Sequence, residues 1–161
     1  MVLRCTKKLL DLLRLDPGPA VASCDEDWYA NVLVLDRREC LLLTHAATLF
    51  SIFEPGLRVG DLRSTRDFVT ALVGRDLREE GCPAGTFGDL RREAFVIAKT
   101  ADRRVLGCMN DMAFVCELAV GESGGLAGLD DRALNRRLRR NINSARDYQR
   151  PIDLVRERLA G

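Results

Sequence analysis

Apolar and polar positions change period several times along this chain, and each change marks an element. Val2, Leu3 and Cys5 enclose a single arginine and predict a strand over 1–5. Thr6 then opens a run in which Leu9, Leu10, Leu12 and Leu13 recur at helical spacing, with its hydroxyl placed to cap the first turn. Asp16-Pro17-Gly18-Pro19 stops that helix, and an acidic loop, Asp25-Glu26-Asp27, follows. The stretch 28–35 is β-branched, aromatic and apolar on both faces, which predicts an inner strand. The polar break Asp36-Arg37-Arg38-Glu39 and the apolar run 40–44 predict a hairpin closed by a four-residue loop.

Residues 47–53 are apolar without a decisive period and fit either a short helix or a strand. Ser64 predicts the cap of a further helix, with Asp67 completing an approximate capping box and Phe68, Val69, Leu72, Val73 and Leu77 as its buried stripe. A second hairpin is predicted from 95–99 and 104–107, and Asn110 is predicted to cap a largely buried helix over 111–120. After a Gly-rich loop, Asp130-Asp131 favour a helix start, with Leu134, Leu138 and Ile142 along one face. Pro151 suits the first turn of a terminal helix ending near Leu159. Hairpins separated by helices give an α+β fold class: a single domain over 1–161, its sheet mostly antiparallel and packed by several helices.

Composition adds exclusions. A chain of 161 residues, 47% hydrophobic, buries a core without help from a metal or disulfide. Its 25 basic and 24 acidic side chains leave a net charge of +1, which excludes a globally basic, histone-like protein. One histidine and six cysteines with no C-x-x-C pair exclude zinc-knuckle and dithiol redox motifs. Several cysteines stand in apolar runs and are expected as buried free thiols. The first fifteen residues are too interrupted by charge for a signal peptide, and no run approaches the ~18 apolar residues of a membrane span. The expected location is cytoplasmic, with no membrane partner.

Five blocks occur in order: Arg4-Cys5-Thr6-Lys7-Lys8-Leu9-Leu10, Asp27-Trp28-Tyr29-Ala30-Asn31, Asp36-Arg37-Arg38, Thr48-Leu49-Phe50-Ser51 and Gly107-Cys108-Met109-Asn110-Asp111. Together they resemble a bacterial family known as domain-of-unknown-function family 6933, over nearly the whole chain. The resemblance implies a single-domain bacterial protein and brings no activity or catalytic residue with it.

Candidate chemistry therefore rests on the residues. Arg4 stands on a strand, and Lys7 and Lys8 in a first helical turn oppose the helix dipole, which fits a bound anion or, equally, lysines that point into water or pair with the acids at 25–27. Asn31 is the one amide in an apolar strand, and fits either a loop tie or a polar pocket floor shared with Tyr29 and Lys99. His45, the sole imidazole, would have to serve any His-driven mechanism, with Cys40 or Cys108 as nucleophile. The stretch 132–150 carries Arg132, Arg136, Arg137, Arg139, Arg140, Arg146 and Arg150 against Asp147 alone, a local +6 inside a nearly neutral chain. Such a segment fits a nucleic-acid backbone, the acids at 25–27, Glu79-Glu80 and Glu122, or solvent.

The leading expectation is a small binding or regulatory module without a cofactor, acting through an anion-binding surface. Its candidate residues are Arg4, Lys7, Lys8, Asn31, Arg38, Arg136 and Arg140, and its partner a nucleic acid, a nucleotide or an acidic protein. The alternative is a metal-assisted phosphoryl-transfer or hydrolytic enzyme. It would hold Mg²⁺ on Asp36 and Asp111, with Lys7 and with Asn110 or Asn31 positioning substrate. A third reading is a homo-oligomeric, antitoxin-like partner protein whose terminal helix covers a neighbour.

Overall fold

Alternation along the strand Trp28–Leu35 sorts its side chains onto the two faces of one sheet, and each face carries its own core. A computed structural model of the chain describes residues 1–58, 60, 64–142 and 144–160. In chain order the elements are β1 (Val2–Cys5), α1 (Lys7–Leu13), β2 (Trp28–Leu35), β3 (Arg38–His45), β4 (Ser51–Glu54) and α2 (Thr65–Glu79). After them come β5 (Val96–Lys99), α3 (Arg103–Glu122), α4 (Asp131–Arg140) and α5 (Pro151–Ala160). The strands form one sheet in the order β4-β3-β2-β1-β5.

The α+β class holds, and the mostly antiparallel sheet is corrected to a mixed one. β2, β3 and β4 form an antiparallel meander, whereas β1 runs parallel to both β2 and β5. The reason lies in the connections. From β1 the chain crosses through α1 and a long loop before re-entering the sheet in the same direction, as parallel pairing requires. The second predicted hairpin does not form, because residues 104–107 are the first turns of α3. Asp102 caps that helix by accepting the Arg104 N–H at 2.7 Å, so Asn110 lies inside α3 rather than at its start.

The first hairpin forms with a tighter turn than predicted. Leu35 pairs with Arg38, leaving two loop residues, Asp36 and Arg37, at φ 49° and 59°. Two consecutive left-handed residues match the right-handed strand twist, which a two-residue loop requires. The ambiguous stretch 47–53 resolves into a turn and the strand β4.

One core lies under α1, α2 and α5 and contains Trp28, Val32, Leu41, Leu43, Ile52, Val69, Leu77 and Val155. The other lies under α3 and α4 and contains Tyr29, Leu33, Cys40, Leu42, Phe53, Met109, Cys116 and Leu138. Ile142 stands beyond α4 and is 63% exposed, so the predicted apolar face ends at Leu138. Cys5, Cys40, Cys82, Cys108 and Cys116 are buried free thiols, and Cys24 is exposed. Among the described residues no helix is long and apolar enough to cross a membrane.

Helix α4 lies along the open edge of β4. The Asn135 amide accepts the Phe53 N–H at 2.6 Å and donates to the Phe53 carbonyl at 2.9 Å. Arg139 Nε donates to the Ser51 carbonyl at 3.3 Å. Side chains thus take the place of a sixth strand and close an edge that would otherwise offer unpaired backbone groups.

Candidate functional site

Most of the cations marked out by the sequence are engaged within the fold. Arg139 is fully buried, ion-paired to Asp76 and to Glu80 (2.9 Å), with its guanidinium 4.8 Å from the centre of the Phe50 ring. Arg140 grips Glu80 with both guanidinium nitrogens, at 2.9 and 2.7 Å. Burial pushes Glu80 upward, but the Arg140 hydrogen bonds and the charges of Arg139 and Arg140 outweigh it and hold the carboxyl below its usual value. Arg132 meets Glu79 at 3.2 Å and Arg137 meets Glu122 at 4.0 Å, while Arg146 donates to the Ala46 and Ala47 carbonyls. The arginine-rich segment is therefore largely an intramolecular clamp on the C-terminal end of α2, with Arg136 left exposed.

The N-terminal block is likewise absorbed. Arg4 is 2% exposed, paired to Asp27, and donates to the carbonyls of Lys99, Val21 and Ala22. It lines a 330 Å³ cavity with residues 17–21 and Lys99, at the C-terminal ends of β1 and β5. Lys7 pairs with Asp11 at 2.6 Å, and Lys8 is exposed on the seven-residue α1. Asn31 accepts the Thr6 hydroxyl at 2.9 Å, and the Tyr29 hydroxyl accepts the Asp102 N–H at 3.1 Å. Neither lines the cavity that Arg4 and Lys99 share. Arg38 is exposed at the start of β3.

The proposed metal pair is not brought together. Asp36 receives the Leu126 N–H at 3.2 Å, beyond the C-terminus of α3, whereas Asp111 stands on the exposed side of the same helix. The helix alone carries Asp111 about 16 Å from its last residue. Among the described residues no three His, Cys, Asp or Glu side chains converge to hold a metal ion. His45 belongs to the α2-side face with Trp28 and Phe87, its ring 5.2 and 4.4 Å from theirs. Cys40 and Cys108 pack in the core on the other face, so neither stands beside His45.

A cleft of about 530 Å³ lies between α2 and the turn-rich segment 84–91. Four-residue spacing puts Arg66, Thr70, Gly74 and Arg78 on one face of α2. Of these, Thr70, Gly74 and Arg78 line the cleft, facing Gly85, Gly88 and Arg91. Arg78 folds back along the helix, so that Nη1 lies 3.5 Å from where a Cβ on Gly74 would sit. Arg91 also lines the cleft, and Arg66 donates to its carbonyl at 3.4 Å and stacks over Phe95. Gly88 is required for the turn itself: its φ is 86°, and a Cβ there would come within 2.4 Å of Glu93 Oε1.

Neither the Arg78 nor the Arg91 guanidinium has a hydrogen-bond or ion-pair partner among the described residues. The carboxylate in the cleft wall, Asp89, is occupied by the Arg91 and Arg92 N–H groups at 3.2 and 3.3 Å and by the Arg92 side chain at 3.5 Å. The Thr70 hydroxyl is hidden from solvent and has no partner, where a helical threonine normally bonds the carbonyl four residues back. Sequence reasoning missed these residues, although the spacing Arg66-Thr70-Gly74-Arg78 was a visible signal.

A family model described as Domain of unknown function (DUF6933) matches residues 2–154. The chain belongs to that family. For this DUF6933 member, comparison with curated proteins and with solved structures returned no match. Membership covers both cores and the α2 cleft, and it leaves the function to be argued from the geometry.

Proposed function

We propose that this DUF6933 protein is a small cytoplasmic, single-domain bacterial binding module that recognises a phosphate-bearing ligand in the cleft between α2 and residues 84–91. One observation carries this reading: Arg78 and Arg91, whose guanidiniums have no partner among the described residues, both line one cleft, while the other cations named above are mostly paired. Guanidinium matches a phosphate oxygen pair in shape and charge, and retains full charge at any working pH. The proposal retains an anion-binding surface and assigns it to α2 rather than to the start of α1, the Arg-rich helix α4, or both. A concave site favours a small ligand over a nucleic-acid backbone, which needs cations spread along an exposed surface.

Isothermal titration with inorganic pyrophosphate at low and high salt tests it. Binding at low salt should weaken with added salt and fall at least tenfold in Arg78→Ala with Arg91→Ala. No binding at low salt, or binding indifferent to both substitutions, overturns the reading.

A further inference from the structure

Helix α3 covers one core with half of its circumference and leaves an apolar line on the other half. Val105, Met109, Met112, Cys116 and Ala119 are buried. On the helical period, the line opposite them runs through Arg103, Gly107, Asn110, Phe114, Leu118 and Gly121. Phe114 and Leu118 are 60% and 43% exposed. Beside this line Ile142 and Tyr148, both exposed, form a groove of about 310 Å³ with Asp111 and Val115. Large apolar side chains exposed together and rimmed by charge mark a surface for association.

The charges around the line are sorted by sign along it. Arg103 and Arg104 stand at the N-terminal end, and Glu117 and Glu122 lie towards the C-terminal end. The side chains of Arg103, Arg104 and Glu117 have no hydrogen-bond or ion-pair partner among the described residues, and Glu122 has only Arg137, at 4.0 Å. This order opposes the helix dipole, which favours acids at the start of a helix and bases at its end. A second α3 laid antiparallel turns the cost into attraction, because each arginine end then meets an acidic end. A parallel copy would set arginine against arginine. Phe114 is the midpoint, with Gly107 and Gly121 each about 10 Å away along the axis. An added Cβ on either glycine would meet nothing within 4 Å, so both leave room for a neighbour.

We infer that α3 forms the two-fold interface of a homodimer, covered by a second copy of this chain packed antiparallel on Phe114 and Leu118. The two-fold axis puts Phe114 on its own copy, Gly107 against Gly121, Arg104 against Glu122 and Asn110 against Glu117. Asp111 lies on the flank of the line away from Glu117, so these two acids do not meet. The occupant is a second copy because an isologous contact needs one patch that matches itself after rotation, and this face does so in apolar content and in charge. One helix face is narrow for a stable interface, which takes about 800 Å² per partner, and Ile142 and Tyr148 widen it. The face lies across the sheet from the α2 cleft, so neither reading depends on the other.

Sedimentation of the full chain between about 1 and about 200 µM tests it, and the mass should rise from 17.9 kDa to twice that value. Phe114→Glu should stay monomeric at the highest concentration with an unchanged far-UV circular dichroism spectrum, since the side chain it replaces is exposed. Arg104→Glu should weaken the dimer at least about threefold, and adding Glu122→Arg to it should restore the wild-type constant. A mass of 17.9 kDa at every concentration overturns the inference and leaves the face to a different protein. A dimer that Phe114→Glu does not disturb joins through another surface and overturns it too. A charge swap no better than Arg104→Glu alone overturns the antiparallel register.

Discussion

Asn135 of α4 and Phe53 of β4 are joined by two hydrogen bonds, amide to backbone in each direction, 82 residues apart in the chain. The side-chain amide does for Phe53 what an adjacent strand would do. Both backbone groups are buried, so Asn135→Leu leaves a donor and an acceptor unpaired, at about 1–3 kcal/mol each. Urea unfolding should show a loss of about 2–5 kcal/mol. Loss under 1 kcal/mol would mean that water reaches the edge.

Arg139 gives a second prediction. Removing its charge strands Asp76, which is fully buried, although Arg75 still reaches that carboxylate at 2.8 Å. Breaking one side of a buried pair destabilises by about 3–5 kcal/mol. Arg139→Met should fall near the lower figure, because Arg75 remains and because Met preserves packing on Phe50. Adding Asp76→Asn to Arg139→Met should recover part of the loss, so that the double variant is more stable than the sum of the singles. Strict additivity in denaturant would contradict the coupling.

His45 gives a prediction for acid pH. Burial, aided by the charges of Arg158 and Arg146, holds its pKa down to about 3 against an ordinary 6.5. Nδ1 is bonded to the Thr48 hydroxyl at 3.1 Å, and Glu26 stands 3.9 Å from Nε2, too far for a hydrogen bond. The unfolded chain takes up a proton near pH 6.5 that the folded chain refuses, so this contribution is present in full above pH 6.5 and is lost as pH falls towards 3. Between pH 7 and 5 the loss for one such proton is about 2 kcal/mol. Replacement by Phe, in a pocket already shared with Trp28 and Phe87, should flatten that slope; an unchanged slope would assign it to another group.

The cleft makes a stability prediction independent of any ligand. Gly74→Ala should raise stability by about 0.5–1 kcal/mol, since a helical glycine gives way to a better helix former without a clash. Thr70→Val should be neutral or stabilising by up to about 1 kcal/mol, because it deletes a buried hydroxyl that bonds nothing. Thermal unfolding of both variants checks this. Destabilisation by either one would mean that the residue serves packing rather than recognition.

What could be read from the sequence was what neighbours in the chain decide. Thr6 caps α1, β2 keeps its predicted bounds, and Asp130 caps α4 by accepting the Ala133 N–H, because each depends on residues a few positions away. The start of α3 was legible in principle, since Asp102 precedes Val105, Cys108, Met109 and Met112 at helical spacing, but the short apolar piece at 104–107 also fits a strand. The parallel neighbours of β1 had no local signature at all. Arg139 looked like one more surface cation because its partners, Asp76 and Glu80, lie some sixty residues earlier. The candidate site was hidden for a similar reason: its second wall comes from turns whose path no periodicity describes.

The position of β1 has a consequence for how the sheet is assembled. The meander of β2, β3 and β4 joins strands close in sequence and can pair as soon as residue 54 is available. β1 precedes the meander in the chain, yet its pairing with β5 couples Val2 to Val96 and Cys5 to Lys99. During synthesis the first strand therefore waits, with one flank open, until more than half of the chain has followed it. A chain interrupted before residue 96 exposes Leu3 and Cys5 beside an unpaired backbone, which leaves β1 open to pairing with another copy until β5 arrives.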